Sequence, residues 1–365
     1  MGFLPRRDQG TKISEDQVYA ALSTVQEPEL GGDLVSRKMI KNVQIDGGKI
    51  AVTVELTTPA CPLKDEIQAD CERALRTIPG VTDVTIEFTA NVRRNAGIPE
   101  QAVIPGVTNV IAVAAGKGGV GKSTVAANLA IALSQEGARV GLLDADIHGP
   151  SVPILLGMRG MGQPEVFQTP GGEPMIIPYE RYGIKLISVG FLIDEQQPVI
   201  WRGPMVTQML RQFIRNVNWA PLDYLVVDMP PGTGDVALTL AQSLPLSGAL
   251  IVTTPQMMAT ADVVKAIQMF NRVNVPMLGI VENMAYFIAP DTGNRYDIFG
   301  TGGAARLAQE LDLPLLGQIP LGMSVRAGSD EGVPAVLTDA PDAYAEVFRA
   351  VARQLAARIS VMAFA

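Results

Sequence analysis

Six short apolar runs recur along the chain: VIAVAA at Val110–Ala115, VGLLDAD at Val140–Asp146, IKLISVG at Ile184–Gly190, YLVVDMP at Tyr224–Pro230, ALIVTT at Ala249–Thr254 and LGIVEN at Leu278–Asn283. Each is nearly continuous in apolar residues, and helical periodicity fills the segments between them. Strands apolar on both faces and separated by helices build a parallel sheet covered on both sides. The pattern predicts an α/β fold, a doubly wound and mainly parallel sheet, over residues 109–365.

Residues 12–90 read differently. A helix opens at SEDQ, Ser14–Gln17, and two alternating runs, KNVQID and KIAVTVEL, meet across Gly47 and Gly48 as a hairpin does. A second helix and a third strand, VTDVTIEF, complete a small α/β domain. Residues 91–108 are polar and broken by proline and glycine, the composition of a linker. Within the second helix, Leu63, Ile67, Cys71, Ala74, Leu75 and Ile78 form one stripe, so Cys71 is expected in the core. Cys61 precedes Pro62, a favoured first helical residue, so its sulfur is expected near the surface at a helix N-terminus, where the dipole favours thiolate. The final helix, from about Asp342, has Tyr344, Val347, Phe348, Val351, Leu355 and Ile359 on one face. Packing of that face against the sheet is favoured over contact with a membrane.

Composition narrows the chemistry. Lys and Arg number 29 against 37 Asp and Glu, a net charge of −8, which disfavours a nucleic-acid backbone as a general partner. No apolar run approaches the roughly 18 residues that span a bilayer, and the N-terminus has no apolar signal region, so a cytoplasmic protein is expected. Two cysteines cannot build a disulfide framework, and a single histidine, His148, makes imidazole catalysis improbable.

GKGGVGKST, Gly116–Thr124, has the spacing GxxxxGK followed by Ser or Thr, between a strand and a helix. Gly116, Gly118, Gly119, Val120 and Gly121 let backbone N–H groups converge on phosphate, and the following helix adds the positive end of its dipole. Lys122 is expected to neutralise the β and γ phosphates of ATP, and Ser123 to ligate Mg²⁺ beside Thr124. Asp144 and Asp146 end one strand and Asp228 ends another, where open α/β sheets bind ligands. A lone Asp there is ordinarily a cap; three such features in one domain favour a site. Asp228 is expected to hold Mg²⁺ through water, and Asp146, with no rival base, to orient the attacking water. His148 follows two residues later and reads as structural.

The extra lysine, Lys117, carries further information: KGGVGKST resembles the deviant phosphate loop of the ATPases related to MinD, ParA, ArsA and the nitrogenase iron protein. That resemblance implies a nucleotide-sandwich homodimer in which Lys117 reaches the partner's phosphates. KGGVGKSTVAANLA, LLDADIHGPSVP, WRGPM, DMPPGTGD and ENMAYF together resemble the Mrp/ApbC group of iron–sulfur cluster carrier ATPases, and EPELGGDLV with LTTPACPL resembles the MIP18-type domain fused to many of them. The resemblance implies transfer of clusters to apo iron–sulfur proteins, alongside cluster assembly factors, and adenine recognition by Asn283 with GQIPL, Gly317–Leu321, bordering the base.

The carriers' loop after ENM has a CxxC pair, two of which across a dimer supply the four thiolates of a four-iron cluster. Here those positions are Ala289 and Thr292. The resemblance therefore implies a carrier that has lost its principal cluster site, or a branch without one. Any cluster is expected to be labile and to depend on Cys61 as a metal ligand. A positioning ATPase of the MinD/ParA kind and a nucleotide-dependent scaffold holding no cluster stay open as alternatives.

Overall fold

A computed structural model describes residues 12–95, 104–147, 149–192, 203–338 and 344–364. The chain divides between Val92 and Arg93 into two compact units. In the first, α1 (Glu15–Leu22), β1 (Ile40–Asp46), β2 (Lys49–Leu56), α2 (Lys64–Leu75) and β3 (Asp83–Ala90) follow in order. Ser14 caps α1 in a reciprocal box with Gln17, which satisfies two otherwise orphaned helix-end donors. The two-glycine turn brings Asp46 opposite Lys49, and β2 pairs antiparallel with β1 and parallel with β3. Ile50, Val52, Val54 and Leu56 alternate into a core that also takes the α2 stripe of Ile67, Cys71 and Leu75.

The second unit contains β4 (Val107–Ala114), α3 (Lys122–Gln135), β5 (Val140–Asp144), α4 (Val152–Leu155), β6 (Val166–Gln168), β7 (Pro174–Ile176), β8 (Tyr179–Arg181) and β9 (Ile184–Ser188). It continues with α5 (Gly203–Arg215), β10 (Leu222–Asp228), α6 (Asp235–Ser243), β11 (Gly248–Thr253), α7 (Met257–Arg272) and β12 (Met277–Ile288). β13 (Arg295–Tyr296), α8 (Gly303–Glu310), β14 (Leu315–Leu321), α9 (Met323–Glu331) and α10 (Tyr344–Phe364) complete it. The main sheet runs β13-β12-β11-β4-β10-β5-β9-β8, with β14 on β12. Its pairings are parallel except the edge pairs β12–β13 and β8–β9. All six apolar runs are strands of this sheet, and β5, β10 and β11 are buried along their whole length because helices cover both faces.

Where the sequence suggests a linker to residue 108, β4 already begins at Val107. Asn109 is fully buried, its Nδ2 donating to the Arg93 carbonyl and its Oδ1 accepting from Ser247 Oγ, polar anchoring that composition alone does not reveal. Residues 96–103 lie outside the described residues. The C-terminal helix buries Phe348, Val351, Leu355 and Ile359, and Val351 seats so close to Gly317 of β14 that a Cβ there would lie 2.5 Å away. Its apolar face is thus used for packing on the sheet. Among the described residues, no helix is long and apolar enough to cross a membrane.

Candidate nucleotide site

The carboxyl ends of β4, β5, β9 and β10 converge on the Gly116–Thr124 loop. Close approach explains two of its glycines. A Cβ on Gly116 would lie 2.3 Å from the Asp262 carbonyl carbon of α7. Gly121, with φ +79°, caps α3 in the left-handed region and has no room for a side chain against Asn283. Val120 is buried, Gly118 and Gly119 are exposed, and Lys117, Ser123 and Thr124 are half-buried. Among the described residues Lys117 has no ion-pair partner.

Lys122 opens α3 and turns inward with only 6% of its surface exposed. Its Nζ lies 2.6 Å from Asp228 Oδ1, 3.3 Å from Ser123 Oγ and 3.8 Å from Asp146 Oδ2. Burial pushes the Asp228 carboxyl up, while the Lys122 charge and hydrogen bonds from Lys122 and Ser123 oppose it. Asp144 is fully buried and pushed up to about 7, by burial first and by the Asp228 charge second. Its Oδ2 accepts from Ser188 Oγ at 2.8 Å and from the Val152 N–H at 3.3 Å, and its Oδ1 accepts from the Asp146 N–H at 3.2 Å. Asp144 thereby ties the ends of β5 and β9 to the segment that carries Asp146. Ser188, the last residue of β9, gives no motif in the sequence; its hydroxyl at a strand end is the signal that could have found it.

Among the described residues, two carboxylate oxygens, Asp146 Oδ1 and Asp228 Oδ2, are buried without a hydrogen-bond partner. A buried, unpaired carboxylate oxygen is costly. Beside the Ser123 hydroxyl, these oxygens fit a hard cation that takes oxygen ligands and keeps several waters, as Mg²⁺ does, or a water held for attack. The residues brought together here are Lys122, Ser123, Asp146 and Asp228, with Asn283 on the loop's flank.

Asn283, expected to face adenine, is 8% exposed, and its Nδ2 donates 2.8 Å to the Val120 carbonyl of the loop itself. Beside it Glu282, which the sequence reading overlooked, is buried at 1% exposure and accepts from the Ala304 N–H at the start of α8 and from Gln318 Nε2. After Met284 the strand continues into a hairpin in which Phe287 and Ile288 pair with Tyr296 and Arg295. Ala289 and Thr292 lie in its turn: the Ala289 N–H donates to the Asn294 carbonyl, and Thr292 Oγ1 accepts from the Asn294 N–H. His148, Trp201 and Arg202 lie outside the described residues. Met205 stands 52% exposed on the first turn of α5.

Cys61 requires a correction. The sulfur expected at the surface is 7% exposed, and its thiol is pushed up to about 12. Burial dominates; the Leu63 N–H does lower the value in the expected direction, but Glu29 and Glu27 raise it again. α2 itself begins only at Lys64, behind a turn through Pro62 and Leu63. Cys71 is fully buried, as its stripe predicts, and its thiol also stands at about 12 through burial. Among the described residues, no three His, Cys, Asp or Glu side chains group so as to hold a metal ion.

Comparison with known proteins adds a family. Residues 106–356 match the family model described as NUBPL iron-transfer P-loop NTPase, and residues 15–88 the model described as iron-sulfur cluster assembly protein. The chain is 50% identical over 352 residues to the iron-sulfur cluster carrier protein of Synechocystis sp., covering 96% of this chain and 99% of that one. It is 51% identical over 346 residues to the protein of the same name from Deinococcus radiodurans, covering 95% and 96%. Among solved structures, a nucleotide-binding protein from Archaeoglobus fulgidus in complex with ADP is similar at TM-score 0.56 and 40% identity, covering 65% of this chain and 91% of that one.

Proposed function

Because the chain belongs to the iron–sulfur cluster carrier family of P-loop NTPases, we propose that it is an ATP-hydrolysing carrier that hands iron–sulfur clusters to apo-proteins. In this reading it works in the cytoplasm as a homodimer, receives clusters from assembly factors, and hydrolyses ATP with Mg²⁺. The observation that carries the nucleotide half is the buried group of Lys122, Asp228 and Asp146 with its two unpartnered carboxylate oxygens. The cargo half rests on relatives of that name matched along nearly their whole length.

Phosphoryl transfer to water is governed by positioned charge. Lys122, now paired with Asp228, exchanges part of that pairing for the β and γ phosphates of ATP. Ser123 and Asp228 would hold Mg²⁺, which supplies charge neutralisation across the same phosphates. Asp146 orients the attacking water through the carboxylate oxygen that lacks a partner. Lys117 of the facing protomer adds positive charge as the leaving phosphate departs.

A second reading, a nucleotide-dependent scaffold that holds no cluster, draws on Ala289 and Thr292 at the expected ligand positions and on the burial of both cysteines. Anaerobic loading with iron and sulfide, then transfer to an apo iron–sulfur protein with and without ATP, separates the two. The carrier reading expects ATP-dependent transfer at low iron occupancy, rising toward one cluster per dimer when Ala289→Cys and Thr292→Cys are combined. ATP hydrolysis without transfer, in both the natural chain and that double variant, would overturn the carrier reading and leave the scaffold.

A further inference from the structure

Asn283 bears on the phosphate loop more directly than a base-reading residue needs to. Its Nδ2 is 2.8 Å from the Val120 carbonyl, and the same nitrogen would lie 2.2 Å from a Cβ at Gly121, so the side chain is pressed against the Val120–Gly121 peptide. Both partners are held: Val120 is 2% exposed and Asn283 8%. Neighbouring Glu282 fastens the strand end to α8 and β14 through Ala304 and Gln318. Directly after Asn283, Met284 takes φ +54°, in the left-handed region, and its Cε would lie 3.6 Å from the same Gly121 Cβ. The β12–β14 register shifts between Asn283 and Phe287. A left-handed methionine inside a strand costs energy and persists only where its surroundings fix it.

In a trans peptide the carbonyl and the following N–H point to opposite sides. A donor that holds the Val120 carbonyl therefore also holds the Gly121 N–H, aimed away from Asn283. Phosphate loops bind their ligand through such N–H groups, and a donor fixed before the ligand arrives costs no reorganisation on binding.

We propose that Asn283 is a positioning residue of the phosphate loop, fixing the Val120–Gly121 peptide so that its N–H is preorganised for phosphate. The inference rests on the nucleotide-site reading and goes beyond it by giving Asn283 a role that does not involve the base.

Tripolyphosphate, which has no base, separates the roles. Calorimetric titration of ATP and of tripolyphosphate into the full chain, as Asn283, Asn283→Ala and the nearly isosteric, uncharged Asn283→Leu, gives the affinity ratios. A positioning residue predicts that each variant loses about tenfold in affinity for ATP and for tripolyphosphate alike. A loss confined to ATP assigns Asn283 to the base and overturns the proposal, as does no loss for either ligand. A fall in melting temperature with the affinity of the folded fraction unchanged, the mark of a merely structural role, overturns it too. If Asn283→Ala does not fold, the same ratio is read from Asn283→Leu. Failure of the unsubstituted chain to bind either ligand would instead defeat the nucleotide-site reading.

Discussion

The nucleotide end of the main sheet and the cysteine core of the N-terminal unit bury reactive groups to a similar depth. Lys122, Asp146 and Asp228 are 6%, 8% and 0% exposed; Cys61 and Cys71 are 7% and 0%. Their chemistry diverges because of what surrounds them. Around Lys122 the buried groups have opposite charges within 2.6 and 3.8 Å, and the Lys122 charge offsets part of the desolvation that pushes the Asp228 carboxyl up. Around Cys61 the nearby ionisable groups are mostly acids, Glu29 and Glu27, which add to desolvation and keep the thiol neutral. Depth of burial alone therefore does not mark a reactive site; compensating partners do.

The largest effect that could break this comparison is removal of the compensating charge. Lys122→Met keeps the apolar stem and leaves Asp228 buried without its cation. ATP turnover should fall by about three orders of magnitude or more, because the phosphates lose their lysine. Stability in urea should fall by about 3–5 kcal/mol, the usual cost of breaking a buried pair from one side. Adding Asp228→Asn should return most of the stability and none of the turnover. Full stability in the single variant would show that the Lys122–Asp228 pair compensates nothing.

Next in size is Lys117, half-buried at the loop's start. Lys117→Ala should lower turnover by about two orders of magnitude while nucleotide binding persists. Mixing it with Asp146→Ala should restore part of the activity, since a mixed dimer has one site with both residues intact. Absence of rescue, with mixed dimers demonstrated by mass, would place Lys117 in its own protomer's site.

Why some of this was legible in sequence and some was not follows from the range of the interactions. The strands β4, β5, β9, β10, β11 and β12 announce themselves because burial on both faces demands continuous apolar residues, a local property. The phosphate loop is legible for the same reason: its glycines and Lys122 are contiguous. Ser188 on Asp144, Asn283 on Val120 and Glu282 on Ala304 join residues 44, 163 and 22 positions apart, and no spacing rule signals them. Cys61 misled because its local signal, a proline before a helix, is real but weaker than the desolvation imposed by the fold around it. The N-terminal helix dipole reaches only the first turn, whereas burial acts on the sulfur from every side.

The last expected effect concerns the thiols. Holding a thiol at about 12 rather than 9.0 lowers its thiolate population at pH 8 about a thousandfold, and the thiolate is what alkylates and what ligates iron. Iodoacetamide should therefore label Cys61 and Cys71 in the native protein two to three orders of magnitude more slowly than in the urea-unfolded chain, read by mass spectrometry. The same shift fixes the sign of the pH dependence. Between 9.0 and about 12 the folded state keeps protons that the unfolded state releases, so the thiols' contribution to stability is full below pH 9 and is lost as pH rises toward 12. Melting of the N-terminal unit should fall with pH over that window, and Cys61→Ala should make the decline shallower. Rapid labelling of Cys61 at pH 8 would mean that its pocket opens in solution, and only such an opening gives this sulfur access to iron, because a neutral thiol enclosed by apolar side chains has neither the charge nor the approach that a ligand requires.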